Sequence, residues 1–347
     1  MRIMRMGLIC GLCLALAAGT ALGQFNGYEG LSDWNSLPAA KGFTAGLASS
    51  YDRDGGNDDF NHYLDPTGHL IGEEGDVPGD YPDGIEVTIC ELTGPGAITR
   101  FWMPRAGADA GANGVLPLKV TVDGSLLIDT DTDDLLGAQY NATNPNLFKG
   151  PMVSTLVGGQ VSYEPIVFQE SLKIESKNYT LGTWAKDHHY YQYNHVRLPA
   201  GTAVTPYDGT LAGRETVRST AVDVISNAGA NPAGSPPGGS TVATPGGTDV
   251  PAGGALSLAS LSGQGRVRRL NVKMDGASDD ELDGLRLRVR YDGGGTNAID
   301  VPVSHFFGAG HGRVAYSSLP LGTEGDNGFY CYWPMPFGDG LEVELYN

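Results

Sequence analysis

The chain has 347 residues with 22 Lys+Arg against 40 Asp+Glu, and its formal charge of −18 disfavours nucleic acid and anionic membrane surfaces as partners. Its 52 glycines, 21 prolines and 16 tyrosines are spread among short strand-like runs. Long helical periodicity is almost absent, so the composition argues for an all-β protein and against a helical bundle. Domains of roughly 150 residues leave room for two cores.

Residues 1–23 follow the plan of a secretory signal peptide: Arg2 and Arg5, an apolar run from Met6 to Ala21, then Ala21-Leu22-Gly23 before Gln24. A mature chain from Gln24 and a secreted or periplasmic location are expected. The run is shorter than the roughly 20 residues that cross a bilayer, and no later stretch competes, so no membrane span is expected. Cys10 and Cys13 lie inside the run, without the small residue of a lipidation site, and leave with it. Cys90 and Cys331 then remain, each in a strand-like run of a different module, and are expected to be free and buried.

The next distinctive segment is Ser49 to Phe60, with carboxylates at Asp52, Asp54, Asp58 and Asp59 and with Arg53, Asn57 and two glycines between them. It has three readings. Asp, Asn and Gly are turn residues, which gives a solvated acidic turn. Asp52 and Asp54 fit the opening of a calcium loop, but Gly56 stands where a ligand is needed and Tyr63 where the bidentate glutamate belongs. Carboxylates are also what sugar hydroxyls and glycoside chemistry require.

From Leu92 onward the chain repeats itself at one offset. Leu92 to Arg100 aligns with Leu261 to Arg269, through Gly94-Pro95-Gly96 and Gly263-Gln264-Gly265 (263−94=169). Leu118 to Gly124 aligns with Leu287 to Gly293, and Tyr163, Pro165, Phe168, Leu172 and Ile174 meet Tyr332, Pro334, Phe337, Leu341 and Val343, all shifted by 169. Between these anchors the Ile128 and Ile299 segments keep the pattern at a shift of 171. Period-two alternation in Leu118, Val120, Val122 and in Leu287, Val289, Tyr291 places one face of each strand in a core, and Asp-Gly favours tight hairpins. The segment unique to copy one is the acidic loop, which makes it the candidate for function. The expected architecture is two tandem antiparallel β-sandwich modules of jelly-roll type with little helix. The first spans 24–198 and the second 255–347, with a Gly/Pro/Ser-rich linker or long loop at 199–254 that contains a possible short helix between Leu211 and Asn227. Copy one continues through His188 to Val196, a strand-like run whose counterpart would follow Asn347. The second module is therefore expected to lack a closing strand or to receive one from elsewhere.

Trp102, Trp184, Trp333 and the Tyr190, Tyr191, Tyr193 run are candidates for stacking on sugar rings, and half of such residues on alternating strands belong to cores. His188, His189 and His195 are poorly spaced for a metal on one strand. Asn141-Ala142-Thr143 and Asn178-Tyr179-Thr180 are glycosylation sequons. Phosphate-loop, dinucleotide, zincin and nucleophile-elbow signatures are missing, so no cofactor or metal is expected.

Asp33-Trp34-Asn35-Ser36-Leu37-Pro38, the Ser49 to Phe60 loop, Gly94 to Trp102, Phe306-Phe307-Gly308 and Pro334-Met335-Pro336-Phe337 together resemble the family catalogued as domain of unknown function 2961, grouped with glycoside hydrolase family 172. The resemblance runs from Asp33 to Asn347. It implies jelly-roll domains, export, a homo-oligomer, and retaining hydrolysis or transfer at furanosides such as fructofuranosides or D-arabinofuranosides. It also implies two catalytic glutamates downstream of the Met-Pro-Phe segment, in a Glu-Gly-Asp and a Gly-Thr-Glu-Asp-Tyr motif. Glu324-Gly325-Asp326 matches the first in letters but lies upstream of Met335 in an expected hairpin, so no nucleophile carries over. What carries over is a sugar site supported by the acidic loop: Asp52, Arg53, Asp54, Asn57 and Asp58, with Trp102 beside it. The alternative is a non-catalytic carbohydrate-binding or surface-structural protein on the same scaffold.

Overall fold

The computed structural model describes the chain apart from residues 1–6, 12–23, 40–41, 54, 57–58, 60–62, 65–69, 72–84, 104–116, 132–134, 137–147, 149, 157–158, 178–189, 233, 236–239, 244, 246–248, 275, 311–312 and 326–327. Trp184, His188, His189 and both sequons are outside the described residues. The fold is all-β and antiparallel, in two compact units: residues 20–29 with 40–222, and residues 1–19 and 30–39 with 223–347.

In the first unit, a sheet ordered Thr44–Ser49, Gln192–Arg197, Gly96–Met103, Gly159–Ser162, Val153–Leu156 faces a second sheet built around Glu86–Thr93, Ser171–Lys177, Pro117–Val122 and Ser125–Asp131. Alternation decides which side is core: Leu118, Val120 and Val122 are buried while Pro117, Lys119 and Thr121 are half-exposed. Leu172, Ile174, Ile98 and Phe101 close the core from the neighbouring strands.

The second unit repeats this plan. Ala255–Ser262, Gly340–Tyr346, Arg286–Tyr291 and Ile299–Pro302 form one sheet, and Gly265–Lys273 with Gly328–Cys331 and Leu321–Glu324 form the centre of the other. Leu287 and Val289 turn inward, and Arg288 and Arg290 turn outward onto Asp300 (3.1 Å), Glu342 (2.8 Å) and Glu344 (3.1 Å) on the flanking strands. The inward apolar set fixes the register of these strands, and the charges occupy the outward positions it leaves.

The duplication reaches single hydrogen bonds. Asp123 and Asp292 both have positive φ (48° and 55°), and each is followed by a positive-φ glycine. Asp123 accepts from the backbone N–H groups of Gln169, Glu170 and Ser171, and Asp292 from those of Gly338, Asp339 and Gly340, all at the same offset. A short side chain with an acceptor oxygen, on left-handed backbone, reaches back to three amides in this way. Even the bulges coincide, between Ile174 and Glu175 opposite the Thr88 to Cys90 stretch and between Val343 and Glu344 opposite Ser257 to Ala259.

Between the copies, Glu215–Ser226 is an α-helix, inside the polar segment singled out by sequence, and Thr241–Ala243 is a strand of the second unit. Within the N-terminal apolar segment Gly7–Gly11 is also a strand of that unit. No helix among the described residues is long and apolar enough to cross a membrane.

Candidate functional site

The acidic loop leaves the end of Thr44–Ser49, and Ser50 anchors it. Ser50 is buried; its N–H donates to the Tyr191 carbonyl (3.2 Å), and its Oγ accepts from Tyr191 N–H (3.1 Å) and donates to the Asp59 carbonyl (3.1 Å). The loop closes on itself where Asp52 N–H donates to Asp59 Oδ1 at 2.7 Å. Asp52 is half-buried beside Gly56, where a Cβ would stand 2.5 Å from Asp52 Oδ2, so a side chain there would displace the Asp52 carboxylate. Arg53 folds back: its guanidinium donates to the Ser49 carbonyl (2.9 Å) and the Tyr51 carbonyl and lies 4.3 Å from the centre of the Tyr51 ring. Asp54, Asn57 and Asp58 lie outside the described residues.

Register brings this loop to Trp102. Ser49 pairs with Gln192, and Gln192 with Trp102, so the loop base and the indole are two strand spacings apart, roughly 10 Å. Phe101 and Met103 are buried and Trp102 is half-exposed, which puts it on the outward face. Arg100 shares that face, and its Nη1 donates to Gln192 Oε1 and Asn194 Oδ1, both at 3.2 Å. The face thus offers a ring, a fixed cation and two amides beside a carboxylate loop, a mixture suited to polyhydroxylated ligands. In the sequence Arg100 is a repeat anchor and part of the Gly94 to Trp102 segment that carries the family resemblance, and Gln192 and Asn194 belong to a strand-like run; none of the three is a site candidate there. Alternation of the Gln192–Arg197 strand was the signal that would have found them.

Of the other candidates, Tyr191 and Tyr193 fall into the core of the first unit, and Tyr190 is half-buried outside it. Tyr193 is buried against Phe101 (centroids 4.3 Å) and Tyr191 (5.2 Å). His195 is partly buried, its pKa lowered by burial and by Arg197. Trp333 is 46% exposed and stands 5.6 Å from Trp34 in the second unit, where Arg266 also holds Asn35. Glu324 closes a strand pair with Gly328, as the hairpin reading expected, and bonds to Arg269 (3.3 Å) and Asn271.

A buried ionic cluster was not visible in the sequence. Glu164 has a fully buried side chain; Oε2 accepts from Arg218 Nε at 2.9 Å and Oε1 from the Tyr28 hydroxyl. Burial first, and then the Glu164 charge, push the Tyr28 hydroxyl well above its ordinary value. Arg214 lies close by, with Nη2 on the Thr210 carbonyl (2.8 Å) and its guanidinium 5.2 Å from the Tyr207 ring. With both oxygens engaged and no exposure, Glu164 ties the N-terminal segment and the Glu215–Ser226 helix to the sheet rather than serving as an acid or base.

Against known families, residues 41–215 match the GH172 first beta-sandwich domain and residues 243–347 match the GH172 domain-like family. The chain belongs to the GH172 family. This makes it a glycoside hydrolase-like, carbohydrate-active protein, and the GH172 first-sandwich match contains the acidic loop, Arg100 and Trp102. No curated protein sequence matches it.

Proposed function

We propose that this GH172 protein is exported and acts on or binds furanoside-containing polysaccharides or oligosaccharides, as a homo-oligomer, through a retaining two-carboxylate mechanism whose glutamates come from outside this chain. The observation that carries the reading is the alignment of the loop base at Ser49 with Gln192 and Trp102 on one outward face. In a retaining mechanism two carboxyl groups stand roughly 5 Å apart, one protonating the leaving oxygen and the other attacking the anomeric carbon. Asp52 and its loop are assigned the binding of sugar hydroxyls, Arg100 a hydroxyl or ring oxygen, and Trp102 an apolar sugar face.

The test is calorimetric titration with fructans and arabinans beside a turnover assay on aryl furanosides. Trp102→Ala and Asp52→Asn are each expected to weaken sugar binding about tenfold, the loss of one good stacking or charged hydrogen-bond contact. Binding without turnover favours the non-catalytic reading. Unchanged affinity in both variants removes this face from consideration.

A further inference from the structure

On the outward face of the first module, Arg100 lies opposite Asn194 and diagonal to Gln192, and its Nη1 donates to the side-chain oxygens of both at 3.2 Å. A guanidinium has hydrogens to give and no lone pair to accept with. Each amide must therefore turn its oxygen towards Arg100, since the flipped orientation would set NH2 against N–H. Gln192 Nε2 and Asn194 Nδ2 then face away from the guanidinium, with their hydrogens unspent. Arg100 itself has no carboxylate partner among the described residues, which leaves its Nε and Nη2 hydrogens to the same surface. The backbone carbonyl of Asn194 is occupied too, by the Thr99 hydroxyl at 3.3 Å.

The side chains around this strip supply no acceptor. Leu47, paired with Asn194, is 50% exposed on one flank, and Trp102, paired with Gln192, stands at one end. At the other end Ala97 and Val196 are buried with Val167 and Val204, and Ser49, beyond Gln192, is buried as well. The result is a band of N–H groups between apolar borders. Such a band is complementary to oxygens that have lone pairs and no hydrogen. In a sugar chain these are the ring and bridging oxygens. A hydroxyl can be met by a carboxylate such as Asp52, whereas an ether oxygen can be met only by a donor.

We propose that Gln192 and Asn194 are specificity-determining residues of the sugar site: held by Arg100, they form with it a donor strip that binds the ring and bridging oxygens of a furanoside chain and leaves the hydroxyls to the Asp52 loop. The proposal rests on the sugar-site reading above. It gives the two amides a role beyond positioning Arg100, and the two roles separate by experiment.

The full chain is titrated calorimetrically with fructan and arabinan oligosaccharides, as wild type and as Gln192→Glu and Asn194→Asp. Each substitution keeps an oxygen on Arg100 and replaces the outward NH2 by a second oxygen. A residue that only positions Arg100 is unharmed by this exchange, because its contact becomes an ion pair. The denaturation midpoint is expected to hold or rise in both variants while affinity falls at least tenfold, the loss of a donor facing an oxygen that has no hydrogen to offer in return. If a midpoint falls instead, Gln192→Met, which removes the donor without adding charge, is read in its place, with the same tenfold loss expected. Unchanged affinity in these variants, with Trp102→Ala still weakening binding, overturns the donor strip and leaves the face as the sugar site. Unchanged affinity in Trp102→Ala and Asp52→Asn as well, or a wild-type chain that binds neither sugar, removes the sugar-site reading and the strip with it.

Discussion

Glu164 and Trp333 occupy one position in the duplicated frame (333−164=169), each between a tyrosine and a proline present in both copies. In the first module the position carries a buried charge held by Arg218 and Tyr28; in the second it carries an indole packed on Trp34. A buried pair broken on one side leaves an uncompensated charge, which costs about 3–5 kcal/mol. Glu164→Gln is therefore expected to lower stability by about that amount, read as a shift of the guanidinium midpoint. Replacing Glu164 and Arg218 together by leucines is expected to recover a good part of the loss, and equal losses in the single and double variants would refute the charge argument. Cys90 and Cys331 are buried and free, as expected, and burial pushes their thiols up to about 12 and about 11. Thiolate is the reactive form, so at pH 8 a thiol reagent is expected to label neither until denaturant is added. Rapid labelling of the native protein would show that either strand opens readily.

At the scale of elements, the Asp-Gly hairpins hold each sandwich in register. The Asp292 carboxyl is kept below its ordinary value by the N–H groups of Asp339, Gly340 and Gly338. Its folded pKa is depressed, so its stabilisation is complete above the unfolded value near 3.8 and is lost as pH falls through the folded one. Asp292→Ala is expected to lower the denaturation midpoint at pH 7, with Asp292→Asn lowering it less because one acceptor oxygen survives. The gap between wild type and Asp292→Ala is expected to shrink below pH 4, and a pH-independent gap would assign the effect to backbone strain instead. The same elements show what was legible in the sequence. Glycine and Asp-Gly at one spacing revealed both copies because turn chemistry is local, and alternation gave the core faces of Leu118 to Val122 and Leu287 to Val289. The outward face of Arg100, Trp102, Gln192 and Asn194 was only partly legible, since pairing of strands some ninety residues apart, as in Arg100 with Asn194, brings it together.

For the whole molecule, the stability profile has a clear alkaline limit. Cys90, Cys331, Tyr28, Tyr191 and Tyr193 all have pKa values raised chiefly by burial. The folded state keeps these protons where the unfolded chain loses them, so their contribution is complete below about pH 9 and disappears as pH rises through the folded values of about 11 to 12 for the thiols. The guanidinium midpoint is expected to hold steady from pH 7 to 9 and to fall progressively above it; a midpoint unchanged at pH 11 would mean these groups are already solvated. The sequence alone determined the all-β class, the duplication and the unshared acidic loop, because period, turn residues and their spacing are properties of neighbouring positions. Tertiary structure decided the rest. The Tyr28, Glu164 and Arg218 cluster depends on contacts across 136 and 54 residues, and its worth lies in shared desolvation that no one residue type announces. The placing of Gly7–Gly11 in the second sheet depends on backbone hydrogen bonds, which are indifferent to side-chain identity and so leave no mark in an apolar run.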